Sequence, residues 1–311
     1  MNRYLLVYNT CEIRANNLFL YLQGLDYLLN QKTNGFTYDV AVSGCRMHQA
    51  TKAALQKRYG KRLIYFYTDE ILTVNVTFNK AVDEIVKRKG PYDGYIFVDS
   101  GVLTTFDTVL QEIHNRAITG KYGIISMQTD TDMGLEHWFG LPPGHVFRGQ
   151  DFIVPVGKCV HIHFNWYPHR FYEYYGKILP DIFRASCTES VFYYMVAPLK
   201  LKWCVVKDIV LVHHKSADGA TSLEKYVPPT KPYWNELMCD IDITKAFADP
   251  RAKATGFGYD EWAHIFDHNP DAYDADGMPK DPDGLGQFTK ETVLLPKHLF
   301  NYDDIKYEIT I

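Results

Sequence analysis

The chain has 311 residues, with 33 Lys+Arg against 37 Asp+Glu and a formal net charge of −4. That balance argues against a dedicated nucleic-acid binder, whose phosphate contacts need a basic excess. Hydrophobic residues make up 46% and charged residues 23%, which excludes disorder as the main state.

No apolar run reaches the ~18 residues of a membrane-spanning helix. The start, Met1 to Asn9, carries one charge and then a short apolar run, so it reads as a buried strand rather than a signal peptide. The six cysteines (Cys11, Cys45, Cys159, Cys187, Cys204 and Cys239) are scattered, with no CxxC pair. They read as reduced thiols of a cytoplasmic protein, and indicate neither a zinc site nor a disulfide frame.

The first half alternates strands with helices. Residues 4–8 form an apolar strand, and the leucines of 17–29 fall mostly on one helical stripe. A strand at 38–42, a helix at 47–58 and a strand at 63–67 follow. Phe78, Val82, Ile85 and Val86 are spaced as an amphipathic helix ending at Lys89-Gly90. A strand at 94–98, a helix near 105–117 and a strand at 123–127 complete the pattern. Short strands separated by helices imply a largely parallel, covered sheet, a Rossmann-like α/β architecture.

Residues 129–175 are rich in Gly, Pro, His and aromatics, with no clean helical period before their end. A helix around 188–197 and strands near 203–206 and 209–212 come next. From 227 the chain is rich in Pro, Asp and Gly, and residues 227–311 read as an irregular extension that packs on the domain or covers its cleft.

Ligands bind open parallel sheets at the carboxyl ends of the strands. Asn9, Thr10 and Glu12, then Ser43, Thr68 and Asp69, then Asp99, Ser100 and Gly101 follow strands in this way. Tyr95-Ile96-Phe97-Val98-Asp99-Ser100-Gly101 places a carboxylate at that edge, where it can hold a divalent cation against phosphates. Asp-Ser-Gly is equally a good turn sequence. The strand 208–212 ends in His213 and His214, of which one faces the cleft; a neutral imidazole there can complete a metal site. Glu189 follows the potential caps Ser186 and Thr188, so the helix dipole keeps its carboxylate ionised and able to take a proton, or is simply complemented by it.

These segments, taken in order, resemble a GT-A fold glycosyltransferase, similar to the large inverting family 2 and its viral and bacterial relatives. The resemblance spans residues 3–220 and rests on Tyr-Asn-Thr after the first strand, Asn75 with Asn79 and Ala81, Phe-Val-Asp-Ser-Gly, Thr-Glu-Ser and Val-His-His-Lys-Ser. It implies that Tyr8, Asn9, Thr10 and Glu12 hold the base and ribose of a nucleotide, that Asn79 approaches it, and that Asp99, Ser100 and Gly101 form the Asp-x-Asp position. It implies Asp99 and His213 as ligands of Mn²⁺ or Mg²⁺, and Glu189 as the base that deprotonates the acceptor hydroxyl. Gly101 stands where the family carries a second acid, and Ser43 where it often carries another.

The implied domains are 1–226, a GT-A domain with a nucleotide-binding half (1–101) and an acceptor-binding half (102–226), followed by the extension 227–311. The implied activity is transfer of a hexose from a nucleoside-diphosphate sugar, a UDP-sugar in the first instance, to an acceptor hydroxyl with inversion. Two alternatives stand beside it: a sugar-nucleotide or carbohydrate-binding protein without turnover, and a nucleotidyltransferase. The latter predicts a Gly-rich basic loop after the first strand, where Tyr8-Asn9-Thr10-Cys11 stands.

Other signals are weaker. The acids from Asp271 to Asp283 fail an EF-hand alignment at both ends, with Ala272 at position 1 and Asp283 at position 12. His161 and His163 share a strand face, where they line an acceptor pocket, bind metal or simply form a polar face. Trp166, Tyr167, His169, Arg170, Tyr172 and Tyr174 are candidates for shaping an acceptor site. No GxGxxG, GxxxxGK[ST] or GxSxG motif is present, against a dinucleotide enzyme, a P-loop NTPase and an α/β-hydrolase.

Overall fold

A computed structural model of the chain describes residues 1–11, 18–70, 72, 74–129, 149–154, 163–179, 192–196, 199–213 and 305–311. The elements are β1 (Asn2–Cys11), α1 (Leu18–Leu29), β2 (Phe36–Cys45), α2 (Gln49–Tyr59), β3 (Ile64–Thr68), α3 (Val74–Lys89), β4 (Gly94–Asp99) and β5 (Val102–Leu103). They continue with α4 (Val109–Ala117), β6 (Tyr122–Thr129), β7 (Phe152–Ile153), β8 (Phe164–Pro168), α5 (His169–Tyr175), α6 (Phe192–Val196), β9 (Lys202–His213) and β10 (Glu308–Thr310).

The strands form one sheet in the order β10-β3-β2-β1-β4-β8-β6-β9-β5, with β7 beside β9. β1, β2, β3, β4, β6 and β9 run one way, and β5, β7, β8 and β10 run against them. The central sheet is thus mostly parallel, as the alternation of short strands and helices predicts.

Continuous apolar runs suit strands covered on both faces. Strand alternation sends Leu5, Val7, Ala41, Phe66, Tyr95 and Phe97 to one face, where they meet Phe78, Val82 and Ile85 of α3. Tyr4, Leu6, Tyr8, Val42, Ile96 and Val98 go to the other, against Leu25 and Leu28 of α1, Leu55 of α2 and Ile113 of α4. Each such side chain contributes about 1.5–3 kcal/mol when fully buried.

Three features differ from the pattern read along the chain. First, β8 inserts antiparallel between β4 and β6, pairing Val98 with Phe164 and Ser126 with Asn165. Both faces of Phe164-Asn165-Trp166-Tyr167 are buried, so the segment shows no polar alternation to announce a strand. An added Cβ at Gly94 would lie 2.2 Å from Trp166 Nε1, so β4 opens on the residue that lets this indole cross it.

Second, the expected strands 203–206 and 209–212 are one strand with an irregularity. The β6 register jumps from Ser126↔Val205 to Gln128↔Val210, and Asp208 takes φ 60, a left-handed conformation that Asp tolerates better than most residues. Gln128 Nε2 donates to the Val206 carbonyl at 2.7 Å, replacing a lost ladder bond.

Third, the chain's end forms an edge strand, with Ile309 opposite Phe66. The Tyr307 ring stacks on Phe66 at 5.2 Å, and its hydroxyl donates to Glu84 Oε2 at 2.7 Å. Glu84 also receives Lys80 at 3.1 Å, Lys87 at 3.1 Å and Arg88 at 2.7 Å. Burial pushes this carboxyl up, but the hydrogen bonds from Tyr307, Arg88, Lys80 and Lys87 outweigh it and bring it down to about 2.

Among the described residues no helix is long and apolar enough to cross a membrane.

Candidate functional site

Parallel register places three polar residues in one row at the carboxyl edge of the sheet. Asn9 of β1 lies opposite Ser43 of β2 and Asp99 of β4. By the alternation of strands, all three continue the face that carries Val7, Ala41 and Phe97. Ser43 is buried and donates its hydroxyl to the Thr77 carbonyl at 3.3 Å.

Asn9 is 5% exposed. Its Nδ2 donates to the carbonyls of Val7 at 2.9 Å and Val98 at 3.3 Å, while its Oδ1 is buried without a hydrogen-bond partner among the described residues. An unsatisfied buried acceptor costs about 1–3 kcal/mol, a cost that a donor on a ligand would relieve.

Asp99 closes a tight turn with Ser100 and Gly101. The Gly101 amide donates to Asp99 Oδ1 at 3.1 Å, and the Ser100 amide donates to the Asn9 carbonyl at 3.1 Å. Tyr8 lies beneath this turn, fully buried, and its hydroxyl donates to the Ser100 carbonyl at 2.7 Å. Gly24 of α1 makes room for that phenol, since a Cβ there would sit 2.8 Å from the Tyr8 oxygen. Burial holds the Tyr8 phenol well above its ordinary pKa, so it stays a donor.

The remaining sequence candidates fall in different places. Thr10 is buried and donates to Met47 Sδ at 2.8 Å. Asn79 of α3 clamps a neighbouring segment: its Nδ2 donates to the Leu179 carbonyl at 2.7 Å, and its Oδ1 accepts from the amides of Leu179 at 2.9 Å and Ile178 at 3.3 Å. Those bonds engage both ends of its carboxamide. Glu12, Glu189, His161 and His214 lie outside the described residues.

His213 lies close to Asp99, because β5 follows directly from the Asp99 turn and pairs Val102 with His213. A third residue completes the group. His163 precedes β8, and its carbonyl accepts the Asp99 amide at 2.8 Å. Its Nδ1 stands 3.5 Å from Asp99 Oδ2, and its ring lies 3.9 Å from that of His213, centroid to centroid. One ligand atom from each of Asp99, His163 and His213 lies within 4.8 Å of the others. Burial pushes the Asp99 carboxyl up, but His163, the Gly101 amide and His213 together hold it below the ordinary carboxylate range.

The aromatic segment expected to shape an acceptor site behaves differently. β8 runs antiparallel to β4, so it carries Trp166, Tyr167 and His169 away from the carboxyl edge. Pro168 pairs with Gly94 at the far end of β4, and His169 Nδ1 meets the Tyr95 hydroxyl there at 2.8 Å. Tyr172 bonds Asp83 on α3. These rings are packing residues of the opposite end of the sheet.

No family model matches the chain, and no curated protein does. Solved structures do. The mannosyltransferase PcManGT from Pyrobaculum calidifontis, in complex with GDP-Man and Mn²⁺, superposes with a TM-score of 0.50 at 14% identity over 69% of this chain and 58% of that one. Residues 1–349 of TarS from S. aureus, in complex with UDP-GlcNAc, give a TM-score of 0.49 at 14% identity over 76% of this chain and 64% of that one. The chain therefore spans less than two thirds of either structure. At this identity the likeness establishes the architecture: the chain has a GT-A-like glycosyltransferase fold.

Proposed function

We propose that this protein transfers a sugar, a hexose in the first instance, from a nucleoside-diphosphate sugar to an acceptor hydroxyl. The observation that carries the reading is the grouping of Asp99, His163 and His213 at the carboxyl edge of a GT-A-like sheet. It is supported by the Asn9 Oδ1 in the same register row, which has no hydrogen-bond partner among the described residues.

The donor set fits a divalent cation, since two imidazoles and a carboxylate are ordinary ligands of Mn²⁺ and its neighbours. Asp99, His163 and His213 would hold such a cation, which would supply positive charge against the nucleoside-diphosphate leaving group. Asp99 is oriented for this by the Gly101 amide on one oxygen, and the turn that carries it is tied to Tyr8 and Asn9. Asn9 Oδ1 accepts from a donor group of the nucleotide. Glu189 takes the proton of the acceptor hydroxyl as its oxygen attacks the anomeric carbon, so that direct attack inverts the configuration. The buried thiol of Cys204 suits a reducing, cytoplasmic setting.

The test is calorimetric titration of UDP, GDP and CDP, each with Mn²⁺ and with EDTA. Metal-dependent binding of one nucleoside diphosphate, UDP being the first candidate, is expected, with its loss in Asp99→Ala. The matching UDP- or GDP-sugar then shows turnover that Glu189→Gln abolishes while donor binding persists. Absence of binding by all three nucleotides, with and without metal, overturns the proposal; binding without turnover replaces it with a sugar-nucleotide-binding role.

A further inference from the structure

The Asp99 cluster differs in chemistry from a site built of two acids. Where the resembled family carries its second acid, this chain has Gly101, whose backbone amide binds Asp99 Oδ1 instead. Asp99 Oδ2 faces His163 Nδ1 at 3.5 Å, close to the roughly 3–3.5 Å that separates neighbouring donors around a metal bonded at about 2.1 Å. His213 closes the third side.

All three donors stand on ordered backbone. Asp99 ends β4, His163 is tied to Asp99 by a 2.8 Å main-chain hydrogen bond, and His213 is registered against Val102 of β5. His213 is buried, whereas the His163 and Asp99 side chains are 20% and 39% exposed. The cluster is therefore assembled by the sheet and open on one side to a further ligand.

We propose that Asp99, His163 and His213 form a two-histidine, one-carboxylate site that loads a divalent transition metal before any nucleotide binds and discriminates against Mg²⁺. The proposal rests on the reading that a cation works at this edge. It adds metal loading ahead of the nucleotide and specifies the class of metal. Mg²⁺ is hard, dehydrates reluctantly and takes oxygen ligands, so two imidazoles in a set of three protein donors are a poor match. Zn²⁺, Co²⁺, Ni²⁺ and, more weakly, Mn²⁺ accept imidazole nitrogen readily. A site with a single carboxylate has to wait for the phosphates of a nucleotide to complete its shell. Three protein donors do not.

The experiment uses the untagged full chain, stripped of metal and free of nucleotide. Co²⁺, Zn²⁺, Mn²⁺ and Mg²⁺ are titrated by calorimetry, and the visible spectrum of the Co²⁺ form is recorded. One equivalent of Co²⁺ or Zn²⁺ binds with a micromolar or tighter Kd, Mn²⁺ binds more weakly, and a large excess of Mg²⁺ leaves the Co²⁺ spectrum unchanged. His163→Ala and His213→Ala each weaken Co²⁺ binding at least tenfold and alter its spectrum, with unchanged thermal unfolding of the metal-free chain. If His163→Ala lowers that unfolding temperature, His163→Gln, which keeps the bulk, gives the same two spectroscopic readouts.

Wild-type Co²⁺ affinity in either His163 variant overturns the proposal. So does displacement of Co²⁺ by equimolar Mg²⁺, or a wild-type chain that takes up no transition metal until nucleotide is added. The sugar-transfer reading fails on a separate result, the absence of nucleoside-diphosphate binding by the metal-loaded chain. It survives failure of this proposal if nucleotide binding proceeds with Mg²⁺ and in His163→Ala.

Discussion

Two carboxylates, one beneath the β3 edge and one at the end of β4, sit in environments built from similar parts with opposite results. Glu84 is 5% exposed and receives Tyr307, Arg88, Lys80 and Lys87. Every one of these partners is a protein side chain, so the network is closed. Asp99 keeps a partly exposed carboxylate that meets, among the described residues, a backbone amide on Oδ1, His163 near Oδ2 and His213 close by. In the same row lies a buried Asn9 oxygen with no hydrogen-bond partner among the described residues. Both groups lie below the ordinary carboxylate range, so a depressed pKa does not distinguish structure from function. What separates them is whether the surrounding donors close the shell.

The largest expected effect breaks the closed network. Glu84→Gln leaves Lys80, itself 4% exposed, without its countercharge and is expected to destabilise the protein by about 3–5 kcal/mol. Equilibrium denaturation in urea measures this, and Co²⁺ affinity of the folded protein stays unchanged. The pH dependence has a definite sign. Because the folded-state pKa is lowered to about 2 from an ordinary 4.5, the stabilisation is complete above pH ~4.5 and is lost as pH falls from there towards ~2. Glu84→Gln removes that portion of the acid sensitivity; an unaltered acid-unfolding profile would show that the carboxylate is not ionised in the network.

Next comes the open site. Asp99→Asn keeps the shape and the acceptor for the Gly101 amide but removes the charge. A loss of about a hundredfold in Co²⁺ affinity, or about 2.7 kcal/mol, is expected from calorimetry, with the unfolding midpoint nearly unchanged. A large drop in stability with intact metal binding would assign Asp99 to the structural class of Glu84.

The smallest effects come from a matched pair, each deleting one phenolic hydroxyl. Tyr307→Phe removes a 2.7 Å hydrogen bond to a buried carboxylate and is expected to cost about 1.5–3 kcal/mol of stability without touching metal binding. Tyr8→Phe removes a 2.7 Å hydrogen bond to the Ser100 carbonyl and is expected to cost about 1 kcal/mol. It should also weaken Co²⁺ binding severalfold, because the turn behind Asp99 loses its tether. Equal effects of the two changes on metal binding would erase the distinction between the regions.

Much of the fold was legible along the chain. The alternation from β1 to β6 follows from apolar runs and helical spacing, and strand ends can be read as ligand-edge positions, which led to Asn9 and Asp99. Tyr8 shows the limit of that reasoning: it is next in sequence to an edge residue, but strand alternation turns its ring into the core. β10 is three residues long and owes its place to the β3 edge, something a short segment of its composition cannot signal.

The sequence by itself determined the α/β class, the mostly parallel sheet and the carboxylate at its edge, because periodicity and strand-end chemistry are local properties. Only the tertiary structure added His163 to that carboxylate and to the His213 that the resemblance implies. β8 enters antiparallel beside β4, which leaves His163 at the ligand edge and sends Trp166, Tyr167 and His169 to the opposite end. β9 brings in His213 through its pairing with β5. Strand direction and register are set by contacts between segments far apart in the chain, and no local pattern encodes them.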